Sequence, residues 1–218
     1  MECVQIRFHR IQSRMKGAGF MENRIVYFED TKAENTETTF QLVQERLDAD
    51  KGIKKLVLAS TTGATAAKAM DFFKGKGVRM IVVPHQFGFR EKRAFSEEMV
   101  QALRKAGHEV FFGTMLFHTD NLYGSQVPVV MANLLRCFSQ GVKVCFEIVL
   151  MATDAGLLTI GEKVIVIAGT RRGADTALVM QAASSRNMKK LRVNEIICKP
   201  LNPLNIDEVL ERAARENA

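Results

Sequence analysis

The stretch from Lys54 to Met70, KKLVLASTTGATAAKAM, limits what this chain can fold into more than any other. Leu56, Val57, Leu58 and Ala59 form a short apolar run with a β-branched residue inside it, the pattern of a buried strand. The run ends in Ser60, Thr61, Thr62 and Gly63, and Ala64 to Met70 are then mostly strong helix formers. Strand, hydroxyl-rich glycine turn and helix make an arrangement that can hold an anion. The first-turn N–H groups lack intrahelical partners, the helix dipole adds partial positive charge, and the hydroxyls add donors. Gly63 permits close backbone approach or a positive φ. The same residues admit a plainer role, with Ser60 or Thr62 capping the helix. The stretch matches neither the P-loop nor the GxGxxG pattern.

A second stretch, KVIVIAGTRRGADTALVM over residues 163–180, reads the same way as apolar strand, small-residue turn and helix. Aligned by eye, LVLASTTGATAA and VIVIAGTRRGADTA share an order of residue types, with one more residue in the second loop. Two glycine-bearing turns at the carboxyl ends of two strands suit the two sides of a ligand crevice in an open α/β sheet.

Between and around these stretches, helical and strand patterns alternate. Residues 34–52 read as a helix that Asn35 or Thr36 can cap and Gly52 closes. Residues 80–84 read as a strand running into a long loop, HQFGFREKR, over 85–93, and Ser96 caps a helix that Gly107 stops. Residues 110–113 form a third strand, followed by a loop carrying His118, Asp120, Asn121 and Tyr123. Two apolar helices, 127–138 and 142–158, break around Gly141, and their greasy character suggests a homodimer face. Glu147 and Asp154 fall on one side of the second. They either pair with basic loop residues such as Arg90 or Arg171 or line a wet crevice. An alternating run over 191–199 and a tail helix over 207–216 complete the chain. The alternation of strand and helix predicts parallel strands with right-handed crossovers.

With 218 residues, 47% of them hydrophobic, the chain has enough apolar material for one α/β domain over residues 21–218. Residues 1–20, with Val4, Phe8, Ile11 and Met15 at helical spacing among basic residues, read as an N-terminal extension. Arg7, Arg10, Arg14 and Lys16 stand there against Glu2, so the extension contributes +3 of the net charge of +7. The basic balance is therefore a weak argument for nucleic acid. Trp is absent and the phenylalanines follow strand and helix patterns, which argues further against a nucleic-acid surface. Cys3, Cys137, Cys145 and Cys198 have no CxxC spacing and read as reduced thiols of a cytoplasmic protein. No apolar run has the length of a membrane span, no histidine pair has metal-ligand spacing, and no residue sits in a nucleophile-elbow motif.

The runs YFED to ENTE (27–37), ASTTGATA (59–66), HQFGFREK (85–92), SQGVKVCFEIVLMATDAGL (139–157) and GTRRGADTAL (169–178) together resemble a family. It is that of the small archaeal-type proteins related to the pyruvate kinase C-terminal α/β domain, and the likeness covers about residues 24–200. The resemblance implies a three-layer α/β/α domain with a mixed five-stranded sheet of order 3-2-1-4-5, strand 5 antiparallel. The strands then fall at 56–60, 79–84, 109–113, 163–168 and 191–199. It also implies a phosphorylated ligand, flavin mononucleotide (FMN), in the crevice between the loops after strands 1 and 4. On this reading Ser60, Thr61, Thr62, Gly63 and Thr65 match the phosphate loop. Gly169, Thr170, Arg171, Gly173, Ala174, Asp175 and Thr176 form the facing turn, and His85, Gly88, Phe89 and Arg90 flank the ring system. Pyruvate kinase activity is not expected, because the barrel that carries it needs about 250 residues of its own. Three functional classes remain: a protein that binds a flavin or phosphate ligand, a flavin-dependent oxidoreductase using His85, His118 or Glu147 as proton donor, and a nucleic-acid binder.

Overall fold

The computed structural model describes residues 23–89 and 95–216. The extension over residues 1–20 and the loop residues Arg90, Lys92 and Arg93 lie outside the described residues. The strands are β1 (Val26–Phe28), β2 (Lys55–Ala59), β3 (Arg79–Val83), β4 (Glu109–Val110), β5 (Lys163–Ala168), β6 (Thr176–Gln181) and β7 (Arg192–Pro200). The helices are α1 (Asn35–Ala49), α2 (Ala64–Phe72), α3 (Glu97–Lys105), α4 (Asp120–Tyr123), α5 (Val127–Arg136), α6 (Gln140–Asp154) and α7 (Ile206–Glu216). 3₁₀ segments occupy Leu116–His118 and Ser185–Lys190, the second kinked at Asn187.

All seven strands form one mixed sheet of order β1-β7-β6-β5-β2-β3-β4. β2 lies between β3 and β5 and runs parallel to both. Each central strand is buried on both faces, so its apolar run is continuous rather than alternating. Leu56, Leu58, Ile165 and Ile167 join Phe40 and Val43 of α1 and Ala66 and Ala69 of α2 in one core. Val57, Val164 and Val166 join Cys145, Ile148 and Val149 of α6 in the other. Because α2 covers one face and α6 the other, the carboxyl ends of β2 and β5 form a topological switch point, where open α/β sheets leave a crevice.

The strand order 3-2-1-4 holds across β4, β3, β2 and β5, but the rest of the expected sheet is different. Residues 176–181 were expected to start a helix and instead form β6, antiparallel to β5. Ala177 and Val179 enter one core and Leu178 and Met180 the other. Burial on both faces of the sheet outweighs the helix propensity of Ala, Leu and Met. Because β6 reverses the direction, β7 runs antiparallel to β6 and parallel to β1. The run 191–199 is therefore neither the antiparallel strand nor an edge. The sheet has seven strands, not five, with the short β1 at one end and the two-residue β4 at the other.

The break between the two apolar helices is also displaced. It falls at 137–139, where Ser139 Oγ accepts the Val142 N–H at 3.0 Å and caps α6. Gly141 lies inside the helix. A Cβ there would collide with Thr176 Oγ1, so the glycine lets α6 approach the start of β6.

Candidate functional site

The loops after β2 and β5 are each built around a glycine turn, and they differ in construction. On the first, Ser60 is buried and its Oγ accepts the Ala66 N–H at 3.2 Å, across the mouth of the first turn of α2. Gly63 precedes that turn with φ +93°, a left-handed conformation that a side chain would strain. The Ala64 N–H reaches Thr62 Oγ1 only at 3.5 Å, and Thr62 is exposed. Thr65 is buried. Thr61 Oγ1 lies 3.3 Å from His85 Nε2, which links the turn to the loop after β3.

That loop carries the line of aromatic rings onward. His85 meets the Phe89 ring edge-on, with centroids 4.8 Å apart, and Phe89 meets His118 at 5.4 Å. Gln86 Oε1 accepts the Met115 N–H at 2.7 Å and ties the loop to the segment that bears His118. Gly88 and Phe89 are exposed at the loop tip.

Behind His118 lies a buried charge cluster. Glu147 Oε1 accepts the Phe117 N–H at 2.8 Å and sits 3.3 Å from His118 Nδ1, while Oε2 accepts from Lys143 Nζ at 2.6 Å. Lys143 and Glu147 lie one turn apart on α6, both almost fully buried. Burial opposes ionisation of Glu147, but the His118 hydrogen bond and the Lys143 ammonium outweigh it, and the pKa falls from its ordinary 4.5 to about 2. Lys143 also shifts down, because for an ammonium with this single carboxylate partner and positive Arg136 nearby, desolvation outweighs the attraction. The pair is thus held chiefly by the several donors converging on the carboxylate. Glu147 and Asp154 do not act together: Asp154 is exposed and accepts the Ser185 N–H at 2.8 Å.

The second turn, Gly169 to Asp175, is a hairpin loop between β5 and β6, closed by Asp175 N–H to Ala168 O at 3.1 Å. Its carboxylate is spent within the loop, whereas the buried Thr170 Oγ1 has no hydrogen-bond partner among the described residues. Asp175 Oδ2 accepts the Thr170 N–H at 3.0 Å, and Oδ1 accepts from Thr176 Oγ1 at 2.7 Å. Burial raises the Asp175 pKa against the effect of these bonds. The Ala174 N–H donates to Thr36 Oγ1 at 2.9 Å, and Thr39 Oγ1 donates to Ala174 O at 3.2 Å, so α1 is bolted to this loop. Gly173 has φ +75°, and a Cβ there would collide with Thr36 Oγ1 and lie 3.0 Å from Ala33 O. A Cβ on Gly169 would lie 2.5 Å from Gly173 O. Within the turn, Arg171 is half-buried and Arg172 exposed.

The turn that holds Ser60, Thr61, Thr62, Gly63 and Thr65 is therefore linked through Thr61 to His85 and on to Phe89, whereas Gly169 to Thr176 are set against α1 and α6. Sequence reasoning missed Lys143, Gln86, Thr36 and Thr39. Lys143 had a signal: a lysine four residues before a glutamate in an otherwise apolar helix. Among the described residues no group of three or more His, Cys, Asp or Glu side chains is placed to hold a metal ion, and no helix is long and apolar enough to cross a membrane. No protein-family model matches the sequence.

Proposed function

We propose that the chain binds a phosphorylated ligand at the carboxyl ends of β2 and β5, with the phosphate on the Ser60–Ala66 turn. The observation that carries this reading is the first turn of α2: left-handed Gly63 leads into it at the switch point, and the exposed Thr62 and the Thr61–His85 pair stand beside it. N–H groups and the helix dipole there favour a dianion. The resemblance to the pyruvate kinase C-terminal α/β family makes FMN the first candidate. The aromatic line of His85, Phe89 and His118 suits a planar ring system next to the phosphate. FMN when bound would supply hydride or electron transfer. The chain's own residues would orient it, and the hairpin would act as a fixed wall through its bonds to α1. Titration of FMN and riboflavin tests the reading, since only FMN carries phosphate. Tighter binding of FMN is expected, and equal affinity for both removes the phosphate turn from the argument.

One observation favours a second reading, flavin-dependent oxidoreduction. An ionised Glu147 can only accept, so its contact with His118 places the hydrogen on Nδ1 and leaves Nε2 to exchange a proton with a ligand. Glu147 is here a positioning residue and His118 the proton-carrying group. Reduction of bound FMN by NAD(P)H, slowed in His118→Gln with FMN affinity kept, supports it. Absence of reduction in the parent protein returns the chain to a binding role.

A further inference from the structure

Helix α5 is apolar on nearly every side, yet only one side is covered. Ala132 is buried where α5 packs on α6 and on the 116–118 turn. The opposite side carries Val127, Val130 and Leu134 at helical spacing, and Phe138 in the turn after the helix continues the stripe. Leu122 and Tyr123 of the adjoining α4 extend it, and these six side chains are between 50% and 79% exposed. A helix apolar all round normally has partners all round.

We propose that this face is the interface of a homodimer, α4 and α5 of one copy packing on α4 and α5 of a second. Two observations name a second copy as the occupant. The first is area. Half to three quarters of six large apolar side chains amounts to on the order of 500 Å² per copy, about 1,000 Å² for a pair, which reaches the threshold for a specific interface. A contiguous patch of that size is at the upper end of what monomers leave in water. The second is charge. The chain carries a net +7, so two copies repel unless they meet where charge is sparse. From Asn121 to Ser139 the sequence contains one charged residue, Arg136. Its Nε donates to Gln140 at 2.8 Å and its Nη1 to Asn133 at 2.7 Å, so the guanidinium is engaged within its own copy. A nearly neutral apolar stripe is self-complementary under a two-fold axis, where each contact of one residue with another is repeated in reverse and no like charges are brought together. A basic or acidic partner would find nothing here to pair with. The interface would also stiffen the 116–118 turn that carries His118, because α5 rests on it.

Sedimentation equilibrium of the full chain tests the proposal. At about 10 µM the expected mass is twice that of the chain, and Leu134→Glu should weaken dimerisation roughly a hundredfold, since the two-fold buries the unpaired charge twice. Val130→Glu, on the same stripe, should act alike, with both variants keeping the parent's circular dichroism and with a thermal midpoint that no longer rises with protein concentration. Exposed Cys137 gives a readout without substitution: its alkylation should slow as protein concentration rises. A parent protein that stays monomeric, or a dimer unmoved by Leu134→Glu, overturns the proposal. So does a monomer that dimerises only once residues 1–20 are removed, since the extension would then be the occupant of this face.

Discussion

Two loops at the same end of the sheet begin from nearly the same residue types and finish as different structures. After β2, the Ser60–Gly63 turn opens into a helix and leaves Thr62 exposed. After β5, the Gly169–Asp175 turn folds back into β6 and spends its carboxylate, a hydroxyl and two N–H groups on itself and on α1. Each turn holds a left-handed glycine, Gly63 or Gly173. The difference lies in what surrounds the turn. The space around Gly63 is bounded by the flexible Met99 side chain, that around Gly173 by Thr36 and the α1 backbone. Similar local sequence thus makes an open helix N-terminus in one place and a structural clasp in the other.

The largest effect should come from the clasp. Gly173→Val combines left-handed strain with a collision against Thr36 and is expected to destabilise the fold by about 4 kcal/mol. Gly63→Val meets strain but only a movable methionine, and about 2 kcal/mol is expected. Denaturant unfolding of both variants measures this. Equal losses would mean that the two turns are packed alike.

The buried carboxylate behind each wall sharpens the contrast. Asp175 is pushed up by burial, whereas Glu147 is held down to about 2. A depressed folded-state pKa contributes stability that is present above the ordinary value of 4.5 and is lost as the pH falls toward 2. Glu147→Gln should flatten the stability profile in that acid window. At neutral pH it should lower stability by about 3 kcal/mol, because Lys143 remains buried without its counter-charge. Chemical denaturation between pH 2 and 7 reads both effects, and an unchanged acid limb would show that Glu147 has no depressed pKa.

Within the hairpin, Asp175→Ala leaves the Thr170 N–H and the Thr176 hydroxyl without acceptors and should lower stability by about 2 kcal/mol. Thermal unfolding followed by circular dichroism checks it, and a neutral result would mean those bonds add nothing.

On the proposed reading, the first turn divides into a structural and a ligand-facing half. Ser60→Ala removes the acceptor of the Ala66 N–H and should lower stability by about 1 kcal/mol. Thr62→Ala should leave stability unchanged but reduce FMN affinity about tenfold, with riboflavin affinity unmoved. A matching loss for riboflavin would place Thr62 away from the phosphate.

Parts of this were legible beforehand. The continuous apolar runs of β2, β3 and β5 marked buried parallel strands, and the turn after β2 was visible as strand, glycine, helix. Residues 176–181 were not legible, because TALVMQ fits a helix as well as a strand and only its neighbours on both sides choose between them.

From the sequence alone, local physics set the element types wherever a residue's choice depends on its near neighbours. These are the helix after Gly63, the serine cap at Ser96, and the paired apolar faces of the central strands. Tertiary structure alone decided which of two similar turns became a clasp, the direction of β7, and the meeting of His118 with the Lys143–Glu147 pair. The reason is one of range. Hydrogen bonds such as Thr39 to Ala174 and the contact of Gly141 with Thr176 join residues far apart in the chain. Their energy appears only once both cores have formed, so no window of sequence contains it.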